Sequence, residues 1–364
     1  MTSFAVTLVA GINPALTRPG GIRSYVLGLA KYLATAGTDV TLIGIGPDHP
    51  NPGYRFVPIV AKSSTSSVAF HRGLRRYLRR MGPPGGIIHL QRPDDLAPFA
   101  SVGYGLTGVI TIHGDPLPGI RSRHGALTAL AYLRLEKRGI AAAKRVLFLD
   151  VSGRESFSRR HPKETDKFAN TSAGIDLDVF RRTDSTEARI KWKLADGPHL
   201  LFAGRFETEK NLSLLVEAVR RSKTVPTLLL AGGGRQTERL SNSLRDVPHR
   251  FLGVVAHEEM PGLYSAVNAT LLTSSREAMP MTCLESLACG TPLVATSTGR
   301  LPDLITPGLN GFLATSEPLE FARCIDEVVR NGAAMALDCR KSALRFGWDR
   351  VLPALLREYE EALS

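Results

Sequence analysis

The chain has 364 residues, 43% of them hydrophobic, too many for one typical core and enough for two. No stretch approaches 18 uninterrupted apolar residues, which excludes an evident membrane-spanning helix, and the 34 Gly and 23 Pro follow no low-complexity period. The net charge of +12 sits in one half, +13 over residues 1–172 and −1 over residues 173–364, which points to an anionic partner for the first half.

In chain order, Met1 to Ala10 lacks the basic start and cleavage pattern of a signal peptide, and Phe4 to Ala10 reads as a first strand. The spacing predicts a helix from Ser24 to Ala36, closed by Gly37, and a strand from Val40 to Ile45. Phe70 to Met81, FHRGLRRYLRRM, follows as an amphipathic helix ended by Gly82-Pro83-Pro84-Gly85. Phe70, Leu74, Tyr77, Leu78 and Met81 fall on one stripe, and Arg72, Arg75, Arg76, Arg79 and Arg80 fan around the rest. Such a face suits solvent, an anionic lipid surface or a phosphorylated acceptor; nucleic acid is unlike it, because no recognised nucleic-acid module surrounds the helix.

Gly86 to Leu90, Gly108 to His113 and Arg145 to Asp150 have the continuous apolar character of buried parallel strands. A hinge is expected at Ala173 to Phe180, extending to about Asp184. Strands then recur at His199–Ala203, Thr227–Ala231, Arg250–Leu252, Ala269–Thr273 and Pro292–Thr296, again with helices between. The pattern predicts an α/β protein of two doubly wound, Rossmann-like domains facing across a cleft. Residues 1–172 form the first and 173–345 the second, and an apolar helix at 346–364 crosses back to the first. Cys283, Cys289, Cys324 and Cys339 show no metal spacing and read as reduced core thiols, in a cytoplasmic setting.

Three segments carry chemistry. In Arg18-Pro19-Gly20-Gly21, paired glycines before a helix let backbone N–H groups approach an anion. In Gly204-Arg205-Phe206-Glu207-Thr208-Glu209-Lys210-Asn211, two cations stand at the carboxyl end of a strand, where doubly wound folds bind ligands. Arg205 offers a planar fork to phosphate oxygens and Lys210 a point charge. In Ser275 to Gly290, Pro280 is placed at the first turn of a helix that Gly290 closes. Glu277 precedes that helix, and Glu285 lies about 7 Å further along it at 1.5 Å per residue. Free N–H groups around Met281 to Cys283 can cradle a phosphate between the two carboxylates, and Met279, Met281 and Thr282 are candidate donor-binding residues.

Together the Gly-Gly loop, GRFETEKN, EAMPMTCLE and ACGTPLVAT resemble the retaining glycosyltransferases of family 4, which adopt the GT-B fold; HRFLGVVAHEEMPGLYSAVNATLLTSSRE and TPGLNGFL add to the likeness. The resemblance implies that Arg205 and Lys210 hold the diphosphate of a nucleotide-sugar donor and stabilise its leaving charge. It implies that Glu277 contacts the donor sugar, that Glu285 binds the ribose, and that Gly20 and Gly21 close on the phosphates. His113, in ITIHGD, matches an active-site histidine beside the transferred sugar. Two positions depart from the family: Gln91 stands where a second histidine is common, and Asp303 where a glutamate is.

The resulting expectation is a retaining sugar transfer to an acceptor hydroxyl, with no cofactor and no essential metal, as in polysaccharide or cell-envelope synthesis. The acceptor is sugar, lipid-linked or small-molecule, and the first half is expected to approach the inner face of an anionic membrane. Competing readings are a small-molecule glycosyltransferase, a sugar-nucleotide epimerase and a non-catalytic nucleotide-sugar-binding protein. An NAD-dependent oxidoreductase is disfavoured, since GxGxxG is absent. Asp176-Leu177-Asp178 falls in the hinge and is not read as a metal motif, and Asp94-Asp95 is read as a helix N-cap.

Overall fold

Short apolar runs, nearly all buried in the five inner strands, become the strands of a parallel sheet in the first half of the chain. They are β1 (Val6–Val9), β2 (Val40–Ile45), β3 (Arg55–Val60), β4 (Ile87–Leu90), β5 (Gly108–Ile112), β6 (Arg145–Phe148) and β7 (Phe168–Asn170). Their spatial order is β3-β2-β1-β4-β5-β6-β7, every pair parallel. The order reverses between β1 and β4, and such a reversal is where open α/β sheets bind ligands. The computed structural model describes residues 4–16, 20–48, 53–62, 66–101 and 107–364.

A second sheet takes β8 (His199–Arg205), β9 (Thr227–Gly233), β10 (His249–Gly253), β11 (Ala269–Leu272), β12 (Leu293–Thr296) and β13 (Gly311–Ala314). Its order is β10-β9-β8-β11-β12-β13, reversing between β8 and β11. Three strands fall outside the sequence expectation: β3, β7 and β13. All three are outermost in their sheets, where apolar patterning weakens, and β3 carries Pro58, which a central strand would not tolerate. The first helix begins at Gly21, three residues before the expected start.

The chain divides into two units, residues 1–16, 22–174 and 348–364 in one, and residues 17–21 and 175–347 in the other. The terminal helix Trp348–Leu363 thus belongs to the first unit. It buries Trp348, Val351, Leu352, Leu355, Tyr359 and Ala362, a stripe at helical spacing. Trp348 sits on two glycines: a Cβ at Gly174 would come 2.2 Å from the indole and one at Gly28 2.7 Å. Tyr32 stacks on the same ring with centroids 5.9 Å apart. Further along, the Tyr359 hydroxyl meets His89 Nδ1 at 2.6 Å, and Arg145 pairs with Glu358 at 2.6 Å and Glu361 at 3.1 Å.

Because the indole fills a space that only glycines leave, Trp348→Ala should open a cavity that neighbours cannot refill. It should lower unfolding stability by about 3–5 kcal/mol. Urea unfolding followed by circular dichroism checks this; a loss below about 1 kcal/mol would show that the terminal helix is not fastened there.

Candidate active site

In the second unit the carboxyl ends of β8, β9 and β11 assemble the sequence motif into one place. Gly232 permits it: at φ +139° its missing Cβ leaves room for the Gly204 carbonyl, which a Cβ would approach to 1.9 Å. The Phe206 amide donates to the Gly233 carbonyl at 3.0 Å. On the other side the loop is tied to the segment after β11. Thr273 Oγ1 donates to the Lys210 carbonyl at 2.8 Å, and the Ser275 amide donates to the Glu209 carbonyl at 2.9 Å.

These ties bring Lys210 Nζ to 2.5 Å from Glu277 Oε1, with both side chains half-buried. Ser274 Oγ donates to the same carboxylate oxygen at 2.7 Å. Behind Glu277, Gly299 at φ +55° lies so close that a Cβ would meet the Glu277 carbonyl. Arg205 is exposed, and among the described residues it pairs only with Glu209, at 3.2 Å on the same loop. Its fork is therefore held only by a solvent-exposed pair, a weak restraint.

Helix Met281–Ala288 follows, with Pro280 as its N-cap rather than in its first turn, as the sequence had suggested. No side chain caps it; the Cys283 amide donates to the Pro280 carbonyl at 3.0 Å, so of the leading N–H groups those of Met281 and Thr282 are left for an anion. Met279 and Met281 are buried beside this start, and Thr282 Oγ1 donates to the Ala203 carbonyl at 3.4 Å. Gly20 and Gly21 group with this unit, and a Cβ at Gly21 would lie 3.9 Å from the Met281 side chain. Arg18 and Pro19 of the same motif lie outside the described residues. Glu285 is 7% exposed and accepts a hydrogen bond from the Tyr264 hydroxyl at 2.8 Å. Burial raises its pKa, against the opposing influence of His257 and Tyr264.

In the first unit, His113 follows β5 at the carboxyl edge of the sheet. Its Nε2 lies 2.8 Å from Gln91 Oε1, just past β4. The Tyr25 ring packs edge-on against the imidazole, centroids 5.0 Å apart. Burial pushes the His113 pKa down to about 3, so its ring is neutral. His89 is fully buried between Tyr359 and Thr111, at 2.6 and 2.7 Å, and is also lowered to about 3, by burial first and by His113 second. Tyr25, Tyr264, Thr273 and Ser274 are partners that motif reading did not supply, since no local spacing marks them, and Gln91 stands out in the sequence only as a departure from the family pattern.

The basic helix runs from Ser67 to Met81, its Ser66 cap accepting from the Ala69 amide at 3.2 Å. Phe70, Leu74 and Leu78 are buried and Tyr77 half-buried, but Met81 is 60% exposed, so the expected stripe ends one turn early. Arg72, Arg75, Arg76, Arg79 and Arg80 are exposed, and none forms an ion pair among the described residues. A second basic face was not foreseen. Helix Leu117–Ala142 exposes Arg121, Arg123, Arg134, Lys137 and Arg138 together with Leu127 (85%) and Leu130. Its one acid, Glu136, is buried against Arg160 and His161. Both helices pack on the short helix Ala97–Ala100.

Asp94 and Asp95 lie inside a 3-10 turn instead of capping a helix. With His71 they form a cluster of metal-ligand type, yet Asp94 is already bound through both oxygens by Arg92 and Asp95 by His71 at 3.0 Å. Asp176 accepts from the amides of Asp178 and Val179, a turn that spends one carboxylate oxygen on backbone. A cavity of about 190 Å³, lined by Arg182, Ser265, Cys289 and Thr291 among others, lies at the amino edge of the second sheet; it touches Cys289 to Pro292 of the ACGTPLVAT motif but none of the expected site residues.

Two parallel sheets, each reversing at its centre, with paired charges and an uncapped helix at the carboxyl edge of the second, define a doubly wound α/β protein. Residues 184–346 match the family described as Glycosyl transferases group 1, and residues 19–179 match Glycosyltransferase Family 4; the chain belongs to the family 4, group 1 glycosyltransferases. A D-inositol 3-phosphate glycosyltransferase from Frankia alni is 29% identical over 63% of this chain and 61% of that protein. The chain thus spans about three-fifths of that relative's length. Among solved structures, sucrose-phosphate synthase from Thermosynechococcus elongatus aligns with a TM-score of 0.82 at 22% identity, over 99% of each chain. HepE of Anabaena, in complex with UDP and glucose, aligns at 0.79 and 18%, over 98% of this chain and 99% of that one. The fold is GT-B.

Glu285 gives the site a pH signature. Its folded pKa is raised, so the favourable contribution of the protonated carboxyl is complete below the ordinary Glu value of about 4.3 and is lost as pH rises through the raised value. Glu285→Gln cannot ionise. Its stability relative to the parent should therefore improve from about pH 4 to about pH 7, read by urea unfolding at both. A constant difference would show that Glu285 is not desolvated.

Proposed function

We propose that the chain transfers a sugar from a nucleotide-diphosphate sugar to an acceptor hydroxyl with retention of the anomeric configuration. The observation that carries this reading is the Lys210–Glu277 contact, with Ser274 on the same oxygen, beside Arg205 and the uncapped start of helix Met281–Ala288. A cation and helix N–H groups suit a diphosphate, and a carboxylate suits sugar hydroxyls. In the transfer, the bond between the anomeric carbon and the phosphate oxygen breaks. The acceptor oxygen bonds to that carbon on the same face, and its proton passes to the departing phosphate oxygen. Arg205 and Lys210 stabilise the charge that develops there, and such fixed electrostatics are usually the largest catalytic contribution. Glu285 holds the ribose, Gly20 and Gly21 approach the phosphates, and His113 lies beside the sugar. No metal is required by this scheme.

The acceptor side belongs to the first unit in this reading. Ten exposed basic side chains on helices Ser67–Met81 and Leu117–Ala142, with Leu127 and Leu130 among them, support an acceptor presented at an anionic membrane surface. The enzyme would then work peripherally on the cytoplasmic face, in polysaccharide or envelope synthesis. No described helix is long and apolar enough to cross a membrane. A second reading, a small phosphorylated acceptor, draws on the relatives named as D-inositol 3-phosphate glycosyltransferases.

Screening UDP-, GDP-, ADP- and dTDP-sugars should reveal one donor that is turned over, with the product anomer matching it by NMR. Arg205→Ala and Lys210→Ala should each lower kcat by about a hundredfold or more. Near-normal turnover in either, or an inverted product, would remove the assignment.

The membrane reading has its own measurement. Sedimentation with anionic vesicles should be strong at low salt, weaken at about 0.5 M salt through screening, and be lost when Arg72, Arg75, Arg76, Arg79 and Arg80 are changed to Glu. Each basic residue near such a surface contributes about 1 kcal/mol. Absence of binding at low salt, with turnover of soluble phosphorylated polyols, would favour the small acceptor.

A further inference from the structure

Gln91 occupies an expensive position. It is 3% exposed, and its buried amide Nε2 has no hydrogen-bond partner among the described residues, a placement native chains rarely keep without a reason. A methionine would fill similar space with no unsatisfied donor. What the glutamine adds is Oε1, which sits 2.8 Å from His113 Nε2. An amide oxygen can only accept, so the imidazole must carry its proton on Nε2. His113 Nδ1 makes no hydrogen bond among the described residues, and the ring is half-buried.

We propose that Gln91 is a positioning residue for His113, holding the imidazole as the Nε2–H tautomer so that Nδ1 is presented as the hydrogen-bond acceptor for a hydroxyl of the bound sugar. The inference rests on the reading of this sheet edge as facing the sugar. Tyr25 supplies the second restraint, its ring edge-on to the imidazole at 81°.

An amide serves this role where a carboxylate would not. Around His113 the titratable neighbours are Tyr25 from the first helix, whose pKa burial raises to about 12, and His89 from β4, itself neutral. Asp115, two residues on, is taken by Arg160 at 2.7 Å and Ser156 at 2.8 Å. No anion therefore stabilises an imidazolium, and burial keeps the ring neutral. A glutamate at position 91 would favour the charged ring and abolish the acceptor.

The test is ¹⁵N NMR of the full chain labelled on histidine, with His113 assigned by His113→Asn, alongside kcat and KM across pH. The parent should show His113 as the Nε2–H tautomer and neutral down to about pH 5, since its pKa lies far below. Gln91→Met, if it retains a cooperative melt, should mix the two tautomers and lower kcat about tenfold, the weight of one hydrogen bond, with KM changed less. Gln91→Glu should bring a new ionisation between about pH 5 and 8 into both the His113 signals and the rate profile. An Nδ1–H tautomer in the parent, or a parent-like tautomer in Gln91→Met, would overturn the proposal. If the tautomers shift as expected while His113→Asn turns over normally, the lock stands and the placement of His113 beside the sugar fails.

Discussion

Lys210 and Glu277 are 67 residues apart in sequence and 2.5 Å apart in space. Every element around them serves that distance. The glycine at 232 lets the Gly204 carbonyl approach, Thr273 and Ser275 hold the Lys210 loop, and the glycine at 299 lets the backbone press against Glu277. A half-buried pair of this kind is a poor way to stabilise a fold, because desolvating both ions consumes most of their attraction. The two charges cancel one another here, and in the proposed reading a diphosphate would recruit the lysine and sugar hydroxyls the carboxylate, so that one ligand satisfies both ions at once. Arg205 is exposed and loosely held.

The residues proposed for the donor stand out in the sequence because they are local. Arg205 and Lys210 follow one strand and share a loop; Glu277 and Glu285 flank one helix start. Periodicity located the central strands for the same reason, since burial on both faces leaves an unbroken apolar run. The edge strands β3, β7 and β13 left no such trace. The basic face of helix Leu117–Ala142 was also missed. Its charges are spread over 26 residues, and the helix is broken at Gly125 (φ 80°), so no single stretch reads as a patch.

Partnership across the sheet was illegible for a different reason. Tyr25 and Thr111 are 86 residues apart, and His89 and Tyr359 are 270 apart; no spacing rule connects them. Gln91 stood out only as a departure from the pattern of relatives. The reason it matters, an amide oxygen facing a neutral imidazole, exists only once β4 and β5 are side by side in register, Leu90 opposite Ile110.

The two sheet edges therefore handle charge in opposite ways. At the second, Lys210 and Glu277 face one another as ions. At the first, burial keeps the imidazoles of His89 and His113 neutral, their pKa lowered to about 3, and the nearby Asp115 is held ionised by Arg160. Ten of the basic side chains behind the surplus of +13 in residues 1–172 lie instead on the exposed faces of helices Ser67–Met81 and Leu117–Ala142, where they meet solvent. Beyond about 10 Å such charges are screened, so they act on what lies against those helices. Positive charge of that kind, with Leu127 and Leu130 exposed beside it on helix Leu117–Ala142, is what supports the proposed anionic surface as partner.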